Sequence, residues 1–225
     1  MSQQRMAIMD KIRASHRARG IGSSQQAVDA RLNARAQNLV PARGRLTGDA
    51  LRARLEQFAV KSQASIVSVA APRDVPQAIG AYLTAHHLPG PVRLCGDGFL
   101  AAMPWDLIAR FNPATGAVQE TDGVGVSVAL CAIGETGTLM LISGPNAASG
   151  LNFLPPAHII VLRAGDIVGA LEDGWARLRQ AGNGQMPRTV NLITGPSRTA
   201  DIAQTMYMGA HGPKHLHVII VDNHA

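Results

Sequence analysis

Three segments of this sequence gather residue types able to do chemistry: 132–139 (AIGETGTL), 194–202 (TGPSRTADI) and 208–214 (MGAHGPK). In the first, Glu135 lies in an otherwise apolar stretch, between Gly134 and the run Thr136, Gly137, Thr138. Burying a carboxylate is expensive unless something pairs with it. Two readings stay open. Glu135 accepts hydrogen bonds from Thr136, Thr138 or backbone amides in a turn, or it points into a pocket as base, nucleophile or substrate clamp.

The second segment follows an aliphatic strand pattern (TVNLIT) and reads as the opening of a short helix from about Thr199. Free amides after Gly195, the hydroxyls of Ser197 and Thr199, and the Arg198 guanidinium would converge where an anion is favoured. The Gly-Lys-Ser/Thr ending of a phosphate-binding P-loop is missing. The plainer reading is a helix cap at Ser197 or Thr199, with Asp201 favourable in the first turn. In the third segment His211 stands between small residues, as an acid, base or anion contact near neutral pH or as a structural histidine. The histidines show no HExxH or comparable spacing, so a dedicated zinc site is not expected. A composite site would place Glu135 at a cleft near the turn 197–199. The polar loop 144–156 is either a lid over such a site or a plain connection.

Alternating strand and helix patterns position these segments. A helix starts at Thr47 with Leu51, Leu55, Phe58 and Ala59 on one face. Strands are expected at 65–70 (SIVSVA), 91–95 (PVRLC), 158–162 (HIIVL), 189–194 and 217–222 (HVIIVD). Asp74 and Asp166 are read as caps of the helices that follow them. The runs 123–132 and 138–143 flank the turn at Gly134–Gly137 as two strands. Crossovers of this length imply a mostly parallel sheet, made mixed by that hairpin. Residues 1–45 read as a basic helical arm ahead of an α/β domain over 46–225. The weak stripe Met6, Ile8, Met9 and Ile12 gives the arm few apolar anchors.

Composition bounds the function. Hydrophobic residues make up 46 % and aromatics 4 %, so the core is aliphatic. The formal charge of +6 gathers in the arm, with no aromatic residues interleaved as stacking platforms, so nucleic acid is not an expected partner. No apolar run reaches the roughly 18 residues that span a bilayer, and residues 1–19 lack the apolar middle of a secretory signal, so the expected compartment is the cytoplasm. The two cysteines, Cys95 and Cys131, cannot ligate a four-thiolate cluster, and no metal or cofactor is expected on this chain.

The order AIGETGTLMLISG, LPPAHIIVL, ITGPSRTADI and GAHGP before a terminal hydrophobic strand resembles the LUD-domain family over roughly 60–224. The resemblance implies a three-layer α/β/α, Rossmann-like fold of the phosphosugar isomerase/CoA-transferase kind (NagB/RpiA/CoA transferase-like). It also implies a cluster-free subunit of a system that oxidises L-lactate to pyruvate. Two partner subunits would carry the iron–sulfur clusters, and this chain would bind them, a small anionic metabolite, or both. The alternative is a stand-alone enzyme of the CoA-transferase or sugar-phosphate type using Glu135. Gly134 and Ala210 depart from the Ala and Val expected there, neither of which alters the chemistry.

Overall fold

The computed structural model describes residues 3–18, 25–34, 36–199 and 207–222. Its contacts divide the chain into two compact units, Met1–Leu39 and Val40–Ala225. The first holds two helices, α1 (Gln3–Ala18) and α2 (Gln25–Ala34), neither with a buried residue. The division falls earlier than the 45/46 boundary read from sequence because 40–45 packs with the second unit. Gly44 lies against Ala170, and Arg43 pairs with Glu135.

The second unit begins with α3 (Gly48–Lys61), whose Leu51, Leu55 and Ala59 are buried at the expected spacing. It continues through β1 (Ser65–Val69), α4 (Val75–Ala85), β2 (Val92–Leu94), α5 (Gly98–Ala101), β3 (Ala114–Thr115) and β4 (Val124–Val128). Then come β5 (Cys131–Ile133), β6 (Thr138–Ile142), β7 (Ala157–Arg163), β8 (Ile167–Val168), α6 (Leu171–Ala181) and β9 (Val190–Ile193). The chain closes through β10 (Arg198–Thr199), β11 (Tyr207–Met208) and β12 (His215–Val221).

Six strands form one sheet in the order β1-β12-β7-β4-β2-β3, and every neighbouring pair is parallel. The longest aliphatic runs, β7 and β12, take the interior positions, where both faces are dry. On one face Val75, Ile79 and Leu83 of α4 and Leu100 of α5 meet Ile159, Val161 and Ile219. On the other, Ile160, Leu162, Val218 and Ile220 meet Leu55 and Ala59 of α3 and a second sheet. That sheet has the order β8-β5-β6-β9, and α6 covers its outer side through Leu178.

The expected α/β architecture is therefore present, with its antiparallel pairing segregated into the small sheet. The run 123–132 is not one strand. It leaves the parallel sheet after Val128 and enters the small sheet at Cys131, turned by the bond from Leu130 N–H to Met140 O. Asp166 does not cap α6. It lies in a 3-10 turn before β8 and holds Arg163 and Arg177. Asp74 likewise accepts from Ala71 N at 3.0 Å rather than capping the amides of α4.

Candidate functional site

Two glycines explain how the chemistry-bearing segments come together. Gly137 (φ +70°) and Gly195 (φ +76°) both adopt the left-handed conformation that a Cβ disfavours. Both also press on the end of α3. A Cβ at Gly137 would stand 2.6 Å from Phe58 Cβ, and one at Gly195 2.2 Å from Ser62 O. Their turns thus converge on one helix end, where hydroxyl bonds join them. Thr136 Oγ1 lies 2.7 Å from Thr138 Oγ1, which lies 2.7 Å from Thr194 Oγ1.

Beyond Thr194 the chain enters a cleft of about 250 Å³ near the amino ends of β7 and β12. Gly195, Ser197, Arg198 and His211 line it, with Asn152 and Phe153 from the loop 144–156 and His158 beneath. The second and third motifs of the sequence therefore meet. Ser197 N–H donates to Pro213 O at 2.9 Å, and Gly209 N–H donates to Ser197 O at 2.8 Å. These bonds also correct the expected geometry at 197–199. Arg198 and Thr199 form a strand paired antiparallel with Tyr207 and Met208, not the start of a helix. No helix dipole faces the cleft from these residues, and its charge comes from the exposed Arg198. Among the described lining residues there is no carboxylate. Asp201 lies outside the described residues.

Glu135 does not join this cleft. Its side chain, 10 % exposed, accepts from Arg43 Nε at 2.9 Å and lies beside Gly44. Its own N–H donates to Gly169 O at 3.0 Å. The apolar stretch did demand a partner for the carboxylate, and a distant arginine supplies it. Thr136, Gly137 and Thr138 bridge the two places without bringing the carboxylate across.

A buried polar chain underlies the cleft. Ser127 Oγ donates to Asn152 Oδ1 at 2.8 Å, and His158 Nε2 lies 3.0 Å from Ser127 Oγ. Because serine gives its only proton to Asn152, His158 donates through Nε2–H, and its Nδ1 has no partner. Burial pushes the His158 imidazole down to about 3, so it stays neutral. Asn152 and Ser127 also line a second cleft, of about 190 Å³, at the carboxyl ends of β2, β4 and β7, with Asp97, Arg163, Asp166 and Arg177. Its Cys95 is a thiol held above its ordinary value by burial, not a ready thiolate. Sequence reasoning missed both the polar chain and the second cleft. The available signal was His158, a polar residue opening the most aliphatic strand. Among the described residues no group of three or more His, Cys, Asp or Glu could hold a metal.

The LUD domain family matches residues 114–221. The chain is 39 % identical over 97 residues to the uncharacterized protein NMB1437 of Neisseria meningitidis serogroup B, covering 43 % of this chain and 41 % of that one. It is 30 % identical over 105 residues to the lactate utilization protein C of Shouchella clausii, covering 46 % of each. These alignments span less than half the length of the relatives. A crystal structure of a DUF162 family protein from Deinococcus radiodurans shares the fold, with a TM-score of 0.58 at 20 % identity over 79 % of this chain and 99 % of that one.

Proposed function

Because residues 114–221 match the LUD domain family, we propose that the chain serves lactate utilization by binding a small monocarboxylate, L-lactate or pyruvate, in the amino-end cleft. The observation that carries this is the pairing of Arg198 with a lining that has no described carboxylate. A guanidinium so placed favours a carboxylate, for which it presents two parallel N–H donors. Ser197 and His211 supply further polar contacts around it, and Phe153 and Leu192 give the ligand's methyl group an apolar wall. Relatives named lactate utilization protein C support the pathway.

Electron transfer in such a system needs redox groups, and two buried cysteines 36 positions apart are no cluster site. In this reading the iron–sulfur clusters sit on two partner subunits, and this chain contributes ligand and docking surface in the cytoplasm. Acyl transfer through Glu135, the alternative, needs an accessible carboxylate, whereas Glu135 is enclosed and paired with Arg43.

The test is growth on L-lactate as sole carbon source in a strain lacking this gene. Complementation by the natural protein and by Glu135→Gln, but not by Arg198→Ala, is expected. Equal rescue by Arg198→Ala would remove the cleft from the account. Failure of the gene loss to impair growth would remove the pathway.

A further inference from the structure

The carboxyl-end cleft is a built polar site that the lactate reading leaves unused. The carboxyl ends of parallel strands are the commonest ligand position in open α/β sheets, and Cys95, Ser127 and Arg163 lie there, just after or at the ends of β2, β4 and β7. The floor is polar and buried, Ser127 being 4 % exposed and Asn152 6 %. The turn at 144–147 closes one side, where Gly96 N–H donates to Asn146 O at 2.6 Å.

The charges on the walls are balanced but divided. On one wall Arg163 and Arg177 share a single carboxylate, Asp166, taking one oxygen each. One negative charge there faces two positive ones, and each guanidinium has five N–H donors. Arg163 is also fixed in plane by Phe99, with its guanidinium carbon 4.2 Å from the ring centre. The matching negative charge comes from Asp97. Its Oδ1 accepts from Phe99 N at 2.8 Å, leaving the other oxygen free to accept. The site is therefore neutral as a whole, with a cationic wall and a separate anionic group. A monoanion would leave Asp97 uncompensated, whereas a zwitterion satisfies both.

Size narrows the class. A cleft of about 190 Å³, at roughly 30 Å³ of liquid volume per water, holds roughly six non-hydrogen atoms, the number in alanine. We propose that this cleft binds a small α-amino acid, its carboxylate against Arg163 and Arg177 and its ammonium at Asp97. Asn152 lines both clefts, so an amino acid bound here lies beside a residue of the monocarboxylate site.

The experiment is an amide NMR titration of the full chain with L-alanine. L-lactate, the same shape with hydroxyl for ammonium, and N-acetyl-L-alanine, whose ammonium is blocked, run in parallel. Saturable shifts at Gly96, Asp97, Ala147 and Ala148 are expected with L-alanine, at an affinity at least about tenfold above either comparison ligand. Asp97→Asn keeps a competent cap for α5 while removing the charge. It should weaken L-alanine at least about tenfold without altering the melting temperature. Absence of saturable shifts there, equal response to N-acetyl-L-alanine or L-lactate, or unchanged binding in Asp97→Asn overturns the proposal. Shifts at Ser197, Arg198 and Gly212 report separately on the monocarboxylate cleft, so either site can fail alone.

Discussion

Ser127→Ala removes one oxygen and strands two buried partners. Ser127, Asn152 and His158 are 4 %, 6 % and 1 % exposed, so water from the adjoining clefts replaces only part of the lost hydrogen bonding. The Nε2–H of His158 loses its acceptor and Oδ1 of Asn152 loses its donor. Each unsatisfied buried group costs about 1–3 kcal/mol. Relief from burying the serine hydroxyl offsets part of that, leaving a net loss of about 2–3 kcal/mol. At about 2–4 °C per kcal/mol for a domain of this size, the melting temperature should fall by about 4–12 °C. Thermal and urea unfolding of the purified protein measure it, with Asn152→Ala and the double variant completing a cycle. The double variant should cost less than the sum of the singles by at least about 0.5 kcal/mol, because both remove the same bond. A loss below about 0.5 kcal/mol for Ser127→Ala, or simple additivity, would refute the chain of bonds inferred here.

Other outcomes follow from neighbouring features. Burial pushes His158 down to about 3; burial, with the charge of His86, pushes His217 down to about 4. Both depart from an ordinary value of 6.5. The unfolded chain then binds more protons below 6.5, so stability is full above that pH and falls as pH drops toward 4. The slope approaches about 1.4 kcal/mol per pH unit for each histidine. His217→Phe, which can keep the stack on Tyr82, should lower the slope measured by urea titrations across that range by up to about 1.4 kcal/mol per pH unit. The Asp122 side chain is fully enclosed, bound to Arg93 at 2.9 and 3.0 Å and to Gln119 N at 2.6 Å. Asp122→Ala should therefore cost about 3–5 kcal/mol by chemical denaturation, by leaving Arg93 unpaired. Gly195→Ala should destabilise by more than about 1 kcal/mol, because its positive φ and the nearby Ser62 carbonyl both oppose a Cβ.

Much of this fold is legible in the sequence because its strands are dry on both faces. HIIVL and HVIIV are unbroken aliphatic runs, and they occupy interior positions of the parallel sheet. The split of 123–132 between two sheets was hidden for the same reason. Ala129 and Leu130 are as apolar as the strands they separate, and the break is set by where β6 lies. The hydroxyl-rich turn at 197–199 carries the signature of a helix cap, but pairing with 207–208 takes Arg198 and Thr199 into a ladder instead. For Glu135 the demand for a partner was readable, while the partner's identity was not. Arg43 is distant in sequence and lies in a segment whose basic composition suggested an arm. The meeting of the GPSR and GAHGP segments was legible only as an order of motifs, and the cleft they form depends on Pro213 reaching Ser197.

In the proposed function Arg198 anchors a monocarboxylate in the amino-end cleft. Calorimetric titration of the full chain with pyruvate and L-lactate tests it most directly. Saturable one-site binding is expected, weakening about 10–100-fold in Arg198→Ala, the loss of a charged hydrogen-bonded contact of about 1.5–3 kcal/mol. The same titration should be unchanged in Glu135→Gln. Binding that survives Arg198→Ala intact, or that Glu135→Gln abolishes, would contradict it.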